Sequence, residues 1–358
     1  MQYSTFAAID IGSYDVILEI FEISKKQGIR SVDKICHRME LGKDTYTLGK
    51  IRPEMEEELC RVLADFVRIM EGYRVDDYRA TASSAISEAS NSLYVLGKIH
   101  QLTGFSVTVL SNSEQRFLSY KALAAMEDNF NKIIEKGTAI LDLDGGSFQI
   151  SLFDKDALVT TQNIRMGSLR IRERLAGIQS ETEHYEEMVE ELIWNEVSSF
   201  KKMYLKDRKI ENIMLIGDVF TDSVYQNIEE KTTKIISREN FNTWYEKIIR
   251  QSPMELAVKL GIPLENASLM YPSAVIYKCL IDMMGAEHIW IPGVHMTRGI
   301  AYEYAELMKL LKGGHNFEND ILMAAKIIGK RYAVNRPHVQ NLEMTALAMF
   351  DATKKMHG

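Results

Sequence analysis

The chain has 358 residues, 46% apolar and 26% charged, the make-up of a soluble globular protein long enough for two domains with sizeable cores. Its formal net charge of −7 argues against non-specific binding to nucleic acid or an acidic membrane, so an anionic phosphate ligand needs a local basic or metal-filled site. Cys36, Cys60 and Cys279 are odd in number and lack metal-ligand spacing, which predicts buried thiols in a reducing compartment. No basic leader precedes the core-like run Phe6 to Ile11, and no apolar run approaches the ~18 residues that span a bilayer. A cytoplasmic protein with no membrane and no nucleic-acid partner is expected.

In chain order, residues 6–23 alternate as a β-hairpin, and residues 54–72 place Leu59, Leu63, Phe66 and Met70 at helical spacing. A short strand around Tyr78 to Thr81 precedes a small-residue turn and a helix predicted from Ser87 to Thr103. Phe105 to Leu110 reads as a strand. Ser111, three residues before Glu114, forms a capping box for a helix through Leu118 and Leu123. A polar stretch, Glu127 to Lys136, leads to a second hairpin. Beyond it come a long helix over Glu181 to Met203, a strand over Asn212 to Ile216, and a helix over Ser273 to Met284 that starts after Pro272. Lys312-Gly313-Gly314-His315 has the composition of a linker, and two amphipathic helices follow, Asp320 to Tyr332 and Arg336 to Lys355.

The chemistry concentrates in the two hairpins. Residues 140–151 (Ile-Leu-Asp-Leu-Asp-Gly-Gly-Ser-Phe-Gln-Ile-Ser) run strand, acidic small-residue turn, strand, and Ala7-Ala8-Ile9-Asp10-Ile11-Gly12-Ser13 begins a hairpin of the same design. An Asp at the end of an apolar strand can hold Mg²⁺ directly or through water, and small residues after it let backbone N–H groups close on a phosphate oxygen. One Asp-x-Gly is common in ordinary turns, but two with matching flanks imply a duplicated phosphate-handling fold.

These hairpins resemble the exopolyphosphatase and guanosine pentaphosphate phosphohydrolase (Ppx/GppA) family of the actin-like ATPase superfamily. So, in family order, do Ala82-Ser83-Ser84-Ala85-Ile86-Ser87-Glu88-Ala89-Ser90-Asn91, Val109 to Gln115, Leu141 to Gln149, and Arg165-Met166-Gly167-Ser168-Leu169-Arg170. The resemblance implies an α/β fold of two ribonuclease-H-like lobes around a cleft, 1–125 and 126–311, with a short C-terminal helical segment, 316–358. It implies Mg²⁺ as cofactor and polyphosphate or guanosine penta- or tetraphosphate as ligand, with removal of the terminal phosphate. Asp10 and Asp142 would position the metal. Gly12, Ser13, Gly145, Gly146 and Ser147 would cradle the phosphate.

Several positions depart from the family pattern. Tyr14 and Asp15 replace compact residues in the first turn, Ser87 stands where a phosphate-binding Arg is usual, and Asp144 puts a carboxylate into the second turn. Gln115 occupies the position of the catalytic glutamate, Gln149 that of a second glutamate, and Asp218 adds an acid beside Gly217. An amide cannot take a proton from water, so Gln115 predicts impaired turnover, with the neighbouring Glu114 as a substitute base although it points about 100° away on a helix. Asp144, Asp15 and Asp218 are candidates for a metal-rich site or for solvated loop acids. Tyr14 and Phe148 are candidates for stacking on a nucleobase or for filling the cleft. His295 and His315, without partner spacing, are expected in surface or satisfied polar roles.

Three functional classes remain: an active phosphohydrolase, a polyphosphate- or alarmone-binding regulatory protein without turnover, and a structural relative that has lost both. An ATP-using relative is the weaker fourth, since the glycines near Gly217 are few. By the same resemblance the last two helices open a third domain carried by longer members. They are expected to dock on a lobe or to pair with a second copy, as in a homodimer, because their apolar faces (Ile321, Ala324, Ile328; Leu342, Leu347, Phe350) cannot be buried against each other alone.

Overall fold

A computed structural model of the chain describes residues 3–126, 130–155, 157–176, 185–227, 234–311, 315 and 317–357. The apolar hairpin forms β1 (Ser4–Ile11) and β2 (Asp15–Ser24), and a third strand, β3 (Gly28–Arg38), returns antiparallel along β2. Next come α1 (Leu41–Leu48), α2 (Pro53–Tyr73), β4 (Asp77–Ala82), α3 (Ser84–Ser87), α4 (Ser92–Thr103) and β5 (Val107–Val109). β4 and β5 join in parallel, so the first sheet has the order β3-β2-β1-β4-β5.

The helices α5 (Asn112–Met126) and α6 (Phe130–Ile134) lead to the second sheet. Its strands are β6 (Thr138–Leu143), β7 (Phe148–Asp154), β8 (Ala157–Ile164), β9 (Asn212–Ile216), β10 (Ile235–Ser237) and β11 (His288–Trp290). Read from β8 the order is β8-β7-β6-β9-β11-β10, with β6, β9 and β11 parallel and the others antiparallel to their neighbours. Apart from the edge strand β10, this repeats the first sheet strand for strand. The helices of this half are α7 (Ser168–Leu175), α8 (Tyr185–Phe200), α9 (Val219–Asn227), α10 (Arg238–Ile249), α11 (Pro253–Leu260), α12 (Leu264–Met284) and α13 (Met296–Leu307). The C-terminal segment holds α14 (Phe317–Arg331), α15 (Arg336–Ala352) and α16 (Lys354–His357). Three antiparallel strands followed by parallel ones, covered by helices, is the ribonuclease-H-like arrangement, here present twice.

The two-residue period of a strand decides where the acids go. On β1, Ala7, Ile9 and Ile11 face the core made with α2 and α4, while Phe6 and Ala8 face the core shared with α5 and α13. Asp10 continues the second set at the strand end. In β6, Ile140 packs with Tyr120 and Leu123 of α5, and Asp142 continues that face. α5 is therefore held between the two sheets, and both strand-end aspartates open toward its first turns. α13 lies against it so closely that a Cβ on Gly299 would sit 2.1 Å from the Leu118 carbonyl oxygen.

Several expectations need correction. The helix predicted from Ser87 to Thr103 starts only at Ser92, as α4, because the Asn91 side chain exchanges hydrogen bonds with the backbone of Ile51 and holds the chain out of helical geometry. Pro272 lies inside α12 rather than before it: α12 is buried on nearly every side, so packing outweighs the one hydrogen bond Pro removes. β3 escaped notice because neither of its faces is apolar and none of its residues is buried, as suits a charged edge strand. Of the long helix over Glu181 to Met203, residues 181–184 lie outside the described residues, as do 312–314 of the linker. The remainder is α8 with a π-helical turn, Lys201–Leu205. α14 is seated on the second lobe through Phe317 and Ala324, with Asp320 bonded to His315, but Ile321 and Ile328 stay exposed, and no residue of α15 is buried. No described helix is long and apolar enough to cross a membrane.

Candidate active site

The two acidic turns meet at the floor of a cleft between the lobes. The first closes through Gly12 N–H to the Asp15 carbonyl (2.9 Å), the second through Asp144 N–H to the Ser147 carbonyl (2.9 Å). A Cβ on Gly145 would lie 3.2 Å from Cβ of Ser13. Above them is a cavity of about 430 Å³, lined from the floor by Asp10, Gly12, Ser83, Gln115, Ser119, Asp142, Asp144, Gly145 and Asp218. Its mouth is formed by Asp15, Lys34, Cys36, Arg38, Asp222 and His295.

Of the residues singled out in the sequence, Asp10, Gly12, Tyr14, Asp15, Gln115, Asp142, Asp144, Gly145, Asp218 and His295 come together on this lining. Ser13, Gly146 and Ser147 do not. Tyr46 of α1 fills the space between the turns: its hydroxyl is 2.6 Å from Ser13 Oγ and 2.8 Å from Ser84 Oγ, and a Cβ on Gly146 would collide with it at 2.1 Å. Arg170 stacks on the Tyr46 ring (3.8 Å), donates to the Gly146 carbonyl (2.8 Å), and is paired with Glu88 (3.0 Å). Glu88 also holds Arg165 (3.1 Å). Ser87 is exposed and outside the lining.

Glu114 is also off the lining. Its carboxylate accepts from Ser111 N–H (2.8 Å) while its own N–H donates to Ser111 Oγ, the capping box expected from sequence, and these bonds lower its pKa. Gln115 is turned inward and its Nε2 donates to Asp144 Oδ2 at 3.4 Å. One turn further along α5, Ser119 donates to Asp142 Oδ2 (2.7 Å). Ser119 was not singled out, although its spacing of four from Gln115 puts both on one helix face.

Burial dominates the electrostatics. It pushes Asp10 up to about 8, helped by Asp15 and Asp144, and carries Asp142 and Asp218 to about 7. Asp15 and Asp144 are raised for the same first reason. At the mouth, Cys36 Sγ donates to Asp15 Oδ2 (3.3 Å), and His295, its pKa lowered by burial, pairs with Asp222 (3.5 Å). Cys36 is thus exposed rather than buried as predicted, because β3 is an edge strand facing the cleft. His315 is in the satisfied polar role foreseen for it, between Asn131 and Asp320.

The aromatic candidates part: Tyr14 stays on the cavity lining, and Phe148 does not reach it. Tyr14 packs with Leu169 and Leu269 and donates its hydroxyl to Asn266 Oδ1 (2.6 Å), tying the first turn to α12. Phe148 lies in the second lobe's core. Gln149, the cross-strand neighbour of Asp142, is buried beside it with an Oε1 that has no partner among the described residues.

The floor offers hard oxygen donors, which suit Mg²⁺. Ser83 Oγ and Asp218 Oδ2, on the lining, are buried without a hydrogen-bond partner among the described residues. Among those residues no three Asp, Glu, His or Cys side chains converge on one metal position. Mg²⁺ characteristically keeps several waters and takes only one or two carboxylates together with substrate phosphates, so Asp10 and Asp142 fit such a partly hydrated ion.

Two ribonuclease-H-like lobes with a strand-end Asp from each at the floor of the cleft define an actin-like ATPase fold. A family model described as the Ppx/GppA phosphatase family matches residues 19–307, and the chain belongs to that family. It is 21% identical over 310 residues to the bifunctional 3-dehydroquinate synthase/phosphatase of Fusobacterium nucleatum, covering 79% of this chain and 44% of that protein. To exopolyphosphatase 1 of Mycobacterium leprae it is 25% identical over 144 residues, 40% of this chain and 41% of the relative. The chain spans less than half the length of these relatives. Among solved structures, an exopolyphosphatase from Cytophaga hutchinsonii matches with a TM-score of 0.75 at 17% identity, over 86% of this chain and 99% of that one. The Aquifex aeolicus Ppx/GppA family member matches at 0.69 and 18% identity, over 86% and 99%. At such identities the structural likeness speaks for the fold.

Proposed function

We propose that the cleft takes the end of a phosphoanhydride chain, inorganic polyphosphate or guanosine penta- or tetraphosphate, together with Mg²⁺, and hydrolyses its terminal phosphate slowly. The observation that carries this reading is the inward-facing Gln115: the α5 side chain that meets Asp144 of the acidic turn is an amide donating to it, with no proton-accepting nitrogen. Asp10 and Asp142 are the residues that would hold the ion, with Asp144 beside them. Bound Mg²⁺ supplies charge neutralisation between these carboxylates and the phosphate oxygens, which would otherwise repel each other in a recessed site. Gly12 and Gly145 line the cavity, but their N–H groups are already given to the Asp15 carbonyl and the Asp144 carboxylate. A terminal phosphate would have to displace the Asp144 contact to gain a backbone donor, whereas Ser13 and Gly146 lie against Tyr46 and Ser147 closes the second turn.

A second reading, ligand binding without turnover, is favoured by the Tyr46 and Arg170 pair, which fills half of the cradle and neutralises Arg170 with Glu88. A cytoplasmic setting goes with either. Orthophosphate release from polyphosphate and from guanosine pentaphosphate, measured beside Mg²⁺-dependent binding by calorimetry, tests both. Binding with slow release supports the first reading and binding with no release the second. Absence of binding to either ligand contradicts both.

A further inference from the structure

We propose that Lys34 and Arg38 form a subsite for the outer phosphates of the chain, so that the cleft grips its ligand by fixed cations at the mouth and through a metal ion at the floor. This inference rests on the phosphoanhydride reading above. Its ground is a contrast among the basic residues around the cleft. Arg165 and Arg170 are paired with Glu88, and Arg172 with Glu40 and Glu173. Lys34 and Arg38 have no ion-pair partner among the described residues, although the cavity they line contains six aspartates.

Their position follows from the strand. Residues 34, 36 and 38 alternate with 33, 35 and 37 on β3, so Lys34, Cys36 and Arg38 present one face to the cavity. Four residues of strand cover about 13 Å, enough to meet several consecutive phosphates. The acids nearest this face have other partners: Glu19, opposite Lys34 on β2, accepts from Ser31 and Thr297, Asp15, opposite Arg38, accepts from Cys36, and Asp222 is paired with His295. The two cations are therefore left for a polyanion entering from solvent. With Ser87 in place of a cation and a net charge of −7, such a polyanion meets little other attraction on its way in. A guanidinium and an ammonium four residues apart suit a run of phosphate oxygens, the first by paired N–H donors and the second as a point charge.

The test is calorimetric titration of inorganic polyphosphate and of guanosine pentaphosphate, in Mg²⁺, into the wild type, the double variant Lys34→Gln/Arg38→Gln and the charge-matched control Lys25→Gln/Lys26→Gln at the far end of the same hairpin. All four side chains are exposed, so thermal melts should coincide. We expect the first variant to lose about tenfold in affinity, as two partly exposed charge-assisted contacts allow, and the control to match the wild type. Loss with polyphosphate alone assigns the subsite to inorganic chains, and loss with guanosine pentaphosphate assigns it to the phosphates of a nucleotide. Undiminished affinity in the double variant, or an equal loss in the control, overturns the inference while leaving the phosphoanhydride reading intact. A wild type that binds neither ligand overturns that reading and this inference with it.

Discussion

The two turns at the cleft floor begin alike and end differently. Each follows a strand-end aspartate with small residues, but the bulky change in the first turn has been absorbed into the cleft wall: Tyr14, still on the cavity lining, donates to Asn266 and packs into an apolar cluster as a strut between the lobes. The change in the second turn stays where it was made. Asp144 lines the cavity, accepts from Gln115 and from Gly145 N–H (2.6 Å), and adds to the charge that raises Asp10 and Asp142. An aromatic ring can be buried at a gain, whereas a carboxylate in the same kind of turn has to find a donor or a cation.

The largest effect is expected from reversing the second turn and its partner together. Gln115→Glu alone would set a carboxylate beside Asp144, and the two would share a proton. Gln115→Glu/Asp144→Gly restores a free base, and orthophosphate release should rise by about 10²-fold or more over wild type, the scale of general-base catalysis. Asp144→Gly by itself should tighten binding of polyphosphate, most at low Mg²⁺, by roughly tenfold as one repulsive charge leaves the floor. Calorimetry at two Mg²⁺ concentrations checks this, and unchanged affinity at both would make Asp144 a bystander.

The acidic floor also sets a pH dependence. Asp10, at about 8 in the fold against an ordinary carboxylate value when unfolded, makes the native state hold the extra proton between about pH 4 and 8. Stability should therefore be highest at the acid end of that window and fall as pH rises through it, with Asp142 and Asp218 adding in the same direction up to about 7. Melting in EDTA should show this decline, and Mg²⁺ should raise the melting temperature more at pH 8 than at pH 5. A melting temperature that climbs with pH in EDTA would contradict it. The smallest effect belongs to the first turn: Tyr14→Phe leaves Asn266 Oδ1 without its donor and should cost about 1–2 kcal/mol, seen as a lower melting temperature with little change in ligand affinity.

What could be read from the sequence divides along the same line. The doubled hairpin, the long amphipathic α2 and the capping box at Ser111 are local patterns, and local patterns carried the fold. The strand-end aspartates could be found because a polar residue closing an apolar strand breaks a two-residue period. Tyr46 could not, since its α1 carries no catalytic pattern and its importance lies in touching Ser13 and Ser84, residues remote in sequence. Lys34 and Arg38 were hidden because a half-wet edge strand looks like a polar loop. The direction of Glu114 was legible from the capping box itself: a carboxylate bonded to Ser111 N–H is not available to the cleft.

As proposed above, this cleft holds a phosphoanhydride chain but lacks a competent base. The most direct measurement is ³¹P NMR of the wild-type chain with Mg²⁺ and either guanosine pentaphosphate or polyphosphate. Shifted or broadened phosphate resonances should appear at once, while the orthophosphate peak grows only slowly and far below the rate of the Gln115→Glu/Asp144→Gly variant. A wild-type orthophosphate peak that grows rapidly, and does so equally after Glu114→Gln, would contradict it.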